Sequence, residues 1–180
     1  MTGSSFRWRR TTATARPHDR RGACGPDYAF AEQAAAGLVT TAPDLARFVA
    51  AALPGPQGEP PGRGVLSPAG VRLALTAAPA TDGRWGLGYG LGLLPGGDVL
   101  AYHEGANHGW RAGLALLPDR RAGIVVLANG DAGGDAIDAV VPAMGGVERG
   151  DHRAPHSGGQ VPVVARTSAR SKLTVSSSWS

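Results

Sequence analysis

A single cysteine in 180 residues, Cys24, excludes an internal disulfide and leaves the redox compartment unread. Aromatic residues are also scarce, 6% of the chain beside 28 glycines, so an interior has to be built from Ala, Val and Leu with close backbone approaches. No apolar run approaches the ~20 residues that a membrane-spanning helix needs. The stretch Met1 to Arg10 carries arginine with no apolar run behind it. It therefore does not read as a secretory signal, and a cytoplasmic location is the default expectation.

What is present suffices for one domain, since 42% hydrophobic content can fill a single core at this length. The formal net charge of +4 invites a nucleic-acid reading. Division of the charge along the chain removes it. Six Arg against Asp19 give residues 1–25 a net +5, and five bases against two acids give residues 146–180 a net +3. Residues 26–145 hold seven Arg against eleven acids, a net −4. Basic ends around an acidic middle are solvated tails by composition, so neither a nucleic-acid nor a membrane partner is expected. Three regions follow: a disordered basic segment over 1–25, a folded domain over 26–145 and a disordered Ser/Arg-rich tail over 146–180.

Within the middle region, Thr41-Ala42-Pro43-Asp44 signals a helix start, with Thr41 as cap and Pro43 and Asp44 in the first turn. Leu45, Phe48, Val49, Ala52 and Leu53 recur at helical spacing, which predicts an inward apolar face. Ser67-Pro68 opens a second, shorter helix, with Pro68 where a missing N–H costs nothing. From Trp85 the period changes to two. Trp85, Leu87, Tyr89, Leu91 and Leu93 alternate with Gly86, Gly88, Gly90 and Gly92, which predicts a strand with one face stripped of side chains. Val99–Glu104, Trp110–Leu117 and Gly123–Ala128 are three more strands of an antiparallel meander. Ala136–Met144 is a closing helix capped by Asp131 or Asp135. The expected fold class is α+β, with helices packed on an antiparallel sheet.

Polar density peaks at Tyr102-His103-Glu104-Gly105-Ala106-Asn107-His108-Gly109-Trp110-Arg111, where one strand ends and the next begins. A strand end can aim His103 into a cleft. His103 and His108 make a poor metal pair, five residues apart around a glycine-containing turn with only Glu104 nearby, so neither a metal nor a cofactor is expected. Ser67 is explained by helix capping rather than nucleophilic chemistry. Gly86-Leu87-Gly88-Tyr89-Gly90 lacks the following helix of a phosphate loop.

Taken in order, these motifs carry a resemblance: Ala34 to Phe48, Leu66-Ser67-Pro68, Gly86 to Gly90, His103 to Arg111, Leu117-Pro118 and Val125 to Gly130. The series, over residues 28 to 140, resembles the serine β-lactamase-related hydrolases, which include class C β-lactamases, D-alanyl-D-alanine carboxypeptidases and esterases. The resemblance implies a partial β-lactamase/penicillin-binding transpeptidase-like fold and acyl transfer to water from a small-molecule or peptide acyl substrate. It also implies a family that is often extracytoplasmic. His103-Glu104-Gly105 would be the strand motif of the family's cleft, Lys-Thr-Gly or His-x-Gly. His103 would bind a substrate carboxylate or support the proton network. Gly105 would keep the strand edge bare, and the Ala106 N–H would be one oxyanion donor. Glu104 and Asn107 would line the substrate.

Two elements of the family are absent from these residues. Lys172 is the only lysine and Ala169 stands three before it, so there is no Ser-x-x-Lys; none of Tyr28, Tyr89 and Tyr102 begins a Tyr-x-Asn. The expectation is a truncated or diverged chain that is inactive alone, with a complementing N-terminal fragment as a possible partner. The competing expectation is a non-catalytic module that binds a peptide or partner chain by strand addition.

Overall fold

The computed structural model describes residues 3–7, 11–144, 163–168 and 171–176. Among these residues four helices, α1 (Gln33–Ala36), α2 (Ala42–Ala51), α3 (Pro68–Ala74) and α4 (Gly133–Met144), accompany six strands. The strands are β1 (Gly90–Leu93), β2 (Val99–Asn107), β3 (Trp110–Leu117), β4 (Ala122–Ala128), β5 (Val163–Ser168) and β6 (Ser171–Ser176). They form one antiparallel sheet in chain order. The architecture is α+β.

Both predicted caps form. The Thr41 hydroxyl accepts from the Asp44 N–H at 3.3 Å, and the Ser67 hydroxyl accepts from the Gly70 N–H at 3.0 Å. Each satisfies a first-turn amide that the helix cannot. The buried stripe of α2 differs from the predicted one: Ala42, Ala46 and Val49, continued by Leu53, turn inward, while Phe48 is 48% exposed. A small-residue stripe lets the helix sit close on the sheet, and the bulky Phe48 falls outside that contact.

The sheet is covered on two faces rather than one. Leu114, Leu116 and Val125 pack with α2, whereas the alternate residues Ala115, Ile124 and Val126 pack with Ile137 and Val141 of α4. Alternation along β3 and β4 thus feeds two cores, which is why both strands read as continuous apolar runs. Full burial of each Leu, Ile or Val contributes about 1.5–3 kcal/mol.

Three expectations need correction. The strand predicted from Trp85 begins only at Gly90, because Gly88 has φ +85° and turns the chain, and Trp85 pairs back onto Gly90 through an isolated bridge. Gly86 is pressed against the Ala74 carbonyl, where a Cβ would lie 2.2 Å from that oxygen. The alternating glycines therefore build a turn against α3, not the start of a strand.

The segment over 1–25 is not a loose tail in its described residues. Ser5 and Val39 exchange backbone hydrogen bonds, each 2.9 Å. Gly3 N–H and the Ser4 hydroxyl donate to Asp44 Oδ2 at 2.7 and 2.9 Å. Farther on, Pro17 is fully buried and Asn129 Nδ2 donates to the Arg16 carbonyl at 2.9 Å. At the other end, β5 and β6 fall inside the region expected to be an irregular tail; Leu127↔Val163 through Ala122↔Ser168 set β5 on β4. The rest of that tail lies outside the described residues.

Candidate active site

Residues His103 to Asn107 form the distal half of β2, and the sheet register leaves them half-paired. On one side they pair with β3, from His103↔Leu114 to Asn107↔Trp110. On the other side β1 ends its pairing at Gly90↔Tyr102. Beyond Tyr102 the edge has no strand neighbour among the described residues, and His103, Glu104, Gly105 and Ala106 are all exposed. Because Ala101 belongs to the α2-side core and Tyr102 to the α4-side core, strand alternation puts His103, Gly105 and Asn107 on the α2 face. Glu104 and Ala106 share the α4 face.

Each predicted residue has a definite environment. The His103 Nδ1 lies 2.9 Å from the Gly88 carbonyl oxygen. A carbonyl only accepts, so Nδ1 is the donor in this contact, and Nε2 has no hydrogen-bond partner among the described residues. At Gly105 an added Cβ would meet nothing within 4 Å, so the space over it is open. Asn107 Nδ2 donates to the Ala36 carbonyl at 3.0 Å, which ties the strand to the end of α1. Glu104 makes no ion pair among the described residues.

The hairpin that follows is held by its own tip and by Asp131. His108 and Gly109 form its two-residue tip, with Gly109 at φ +74° and packed so closely on Pro17 that a Cβ would lie 2.5 Å from that side chain. Asp131, expected as a helix cap, instead accepts from the Gly109 N–H at 3.0 Å and pairs with Arg111 Nη1 at 2.9 Å. Helix α4 starts at Gly133, which leaves Asp135 in its first turn. Asp44 was expected only as a first-turn acid; it is 2% exposed and receives Gly3, Ser4 and Arg47. Desolvation raises its pKa, but the Gly3 amide, the Ser4 hydroxyl and Arg47 outweigh that and hold it below the ordinary 3.8. Its sequence signal is an acid at the third position of α2, beside the buried stripe.

His108 does not join His103. It meets Tyr28 edge to face at 5.5 Å, beside a recess of about 190 Å³ formed with Pro17, His18 and Cys24. No group of three His, Cys, Asp or Glu side chains suited to a metal occurs among the described residues. A wider depression of about 480 Å³ lies by Arg84, Trp85 and Tyr102, and His103 does not line it. Among the described residues, no helix is long and apolar enough to cross a membrane.

Comparison with known proteins agrees with the motif series and extends it. A family model described as Beta-lactamase matches residues 2–141, so the similarity takes in the N-terminal segment as well as the region from residue 28 onward. Neither the curated proteins nor the solved structures contain a match.

Proposed function

We propose, from the premise that this chain belongs to the β-lactamase family, that the open edge of β2 is the substrate-facing wall of a serine acyl-transfer site. The observation that carries this reading is the register: β1 stops at Tyr102, so His103 to Asn107 present an unpaired edge in the family's strand motif. An extended acyl substrate lies along such an edge by strand-like pairing. Gly105 leaves room for it, and the Ala106 N–H serves as one of two donors to the oxyanion, a role whose loss typically costs on the order of 10²–10³ in rate. His103 holds a substrate carboxylate or moves a proton through its unengaged Nε2, while Glu104 and Asn107 flank the bound chain.

The chemistry needs an activated serine. These 180 residues contain neither Ser-x-x-Lys nor Tyr-x-Asn, so in this reading both elements come from outside them. The purified chain treated with a fluorescent penicillin and a fluorophosphonate is expected to show no adduct by intact mass, and no nitrocefin or nitrophenyl ester turnover. Mixed with a polypeptide bearing the family's Ser-x-x-Lys and Tyr-x-Asn elements, it is expected to promote acylation of that polypeptide's serine, and His103→Gln is expected to weaken the effect. An adduct on the chain alone, or no effect of the chain on the mixture, would overturn the proposal.

The same open edge favours a second reading, a non-catalytic module that takes up an extended peptide as an added strand. Amide shifts confined to residues 103–107 on titration with an extended peptide, together with failure of the acylation experiment, would select it. Shifts elsewhere would reject it.

A further inference from the structure

His103 is exposed, yet one side of its imidazole meets the turn that leads into β1. The turn from Trp85 to Gly90 is fastened at its base, where Gly86 N–H donates to the Tyr89 carbonyl at 2.9 Å and Leu91 N–H to the Arg84 carbonyl at 2.8 Å. It is also fastened to α3, since Leu87 N–H donates to the Ala74 carbonyl at 3.0 Å and Gly86 rests against that same oxygen. Gly88 stands at the crest with φ +85°, a conformation most side chains resist, although an added Cβ there would meet nothing within 4 Å. Only the backbone angle, not space, demands glycine at this position. The angle directs the Gly88 carbonyl to His103 Nδ1 at 2.9 Å.

We infer that Gly88 is a positioning residue that locks the tautomer of His103, so that the uncharged ring presents Nε2 as its sole proton acceptor to the open edge. A neutral imidazole has one donor and one acceptor nitrogen, and which is which follows from the partner of the other. A carbonyl beside Nδ1 fixes that nitrogen as the donor. The uncharged ring then takes the proton of a hydroxyl or ammonium group at Nε2, and has nothing to offer a carboxylate there. Of the two roles proposed above for His103, this tautomer of the uncharged ring suits proton transfer or binding of a donor group. The functional meaning rests on the acyl-transfer reading; the tautomer does not.

The test is a long-range ¹H–¹⁵N correlation spectrum of the ¹⁵N-histidine-labelled full chain at pH 8.5, with the His103 signals assigned by their loss in His103→Gln. A ring protonated at Nδ1 is expected in the native chain. Gly88→Ala, whose Cβ opposes the positive φ, is expected to shift both nitrogens toward tautomer averaging, whereas Gly88→Asn, which tolerates that backbone region better, is expected to restore the native pattern. Circular dichroism reports whether each variant folds. If Gly88→Ala does not fold, the native spectrum and Gly88→Asn decide the matter. A native ring protonated at Nε2, or a folded Gly88→Ala chain with an unchanged spectrum, would overturn the inference. Failure of serine acylation would leave this result standing, so the two are separable.

Discussion

Arg111 and Asp131 meet at 2.9 Å across the end of the sheet, and the same carboxylate oxygen receives the Gly109 N–H at 3.0 Å. Arg111 Nη1 also donates to the carbonyls of Asn107 and Trp110, each at 2.7 Å. The pair thereby fastens the tip of the β2–β3 hairpin to the connection between β4 and α4. It is partly shielded, with side chains 23% and 15% exposed, so it is worth more than a solvated surface pair.

Removal of either partner strands the other. Asp131→Ala is expected to destabilise the chain by about 1–3 kcal/mol, since it also orphans the Gly109 amide. Urea unfolding of Arg111→Ala, Asp131→Ala and the double variant is expected to give a coupling of at least ~0.5 kcal/mol. Additive effects would show that the pair is not energetically joined.

Asp44 fastens the N-terminal segment in a pH-dependent way. Its pKa is lower folded than in an ordinary carboxylate, so its contribution is fully present above about pH 4 and is lost as pH falls through the folded value. In an NMR titration, the amide of Gly3 and the bridged amides of Ser5 and Val39 are expected to shift together with a midpoint below 3.8. Asp44→Asn is expected to abolish that transition. A midpoint at or above the ordinary value would contradict the assignment.

Two glycines of one hairpin are expected to respond unequally to alanine. At Gly109 the backbone has φ +74° and Pro17 occupies the Cβ position, so Gly109→Ala is expected to cost about 1–3 kcal/mol. At Gly105 the space is open and φ is not positive, so Gly105→Ala is expected to change stability by no more than about 0.5 kcal/mol. Equal thermal shifts would refute this account of the hairpin.

The two-faced core makes a similar contrast. Leu116 is completely buried, and Leu116→Ala is expected to cost about 2–5 kcal/mol. Phe48 is 48% exposed, and Phe48→Ala is expected to cost less than about 1 kcal/mol despite the larger residue removed. Denaturant midpoints of the two variants decide between the observed stripe of α2 and the one its hydrophobic spacing suggests.

The features readable from sequence were those whose causes are local. Thr41 and Ser67 announced α2 and α3 because a hydroxyl before a proline-marked first turn has one evident use. Strands β2 to β4 followed from apolar runs broken at His108-Gly109 and at Pro118 to Arg121. Where distant groups decide, the pattern misled. Glycine alternation from Gly86 looked like a strand, since nothing nearby shows that the Ala74 carbonyl occupies one side of it or that Gly88 turns back. Asp131 resembled a cap because Arg111, its partner, lies twenty residues earlier across two strands. In the candidate site, the carbonyl behind His103 was not legible, because it comes from a turn fifteen residues away.

The N-terminal fastening also carries a temporal consequence. His18 Nδ1 donates to the Asn129 carbonyl from 111 residues away, and the Asp131 N–H returns a bond to the His18 carbonyl. On the ribosome, Arg16, Pro17 and His18 emerge long before the strand and turn that will hold them. Closure of so long a loop comes late and adds to the non-local contacts that slow folding. Until Gly109 and then Asn129 to Asp131 are made, the contacts that hold Pro17 and His18 are incomplete, so what is synthesised early is secured late.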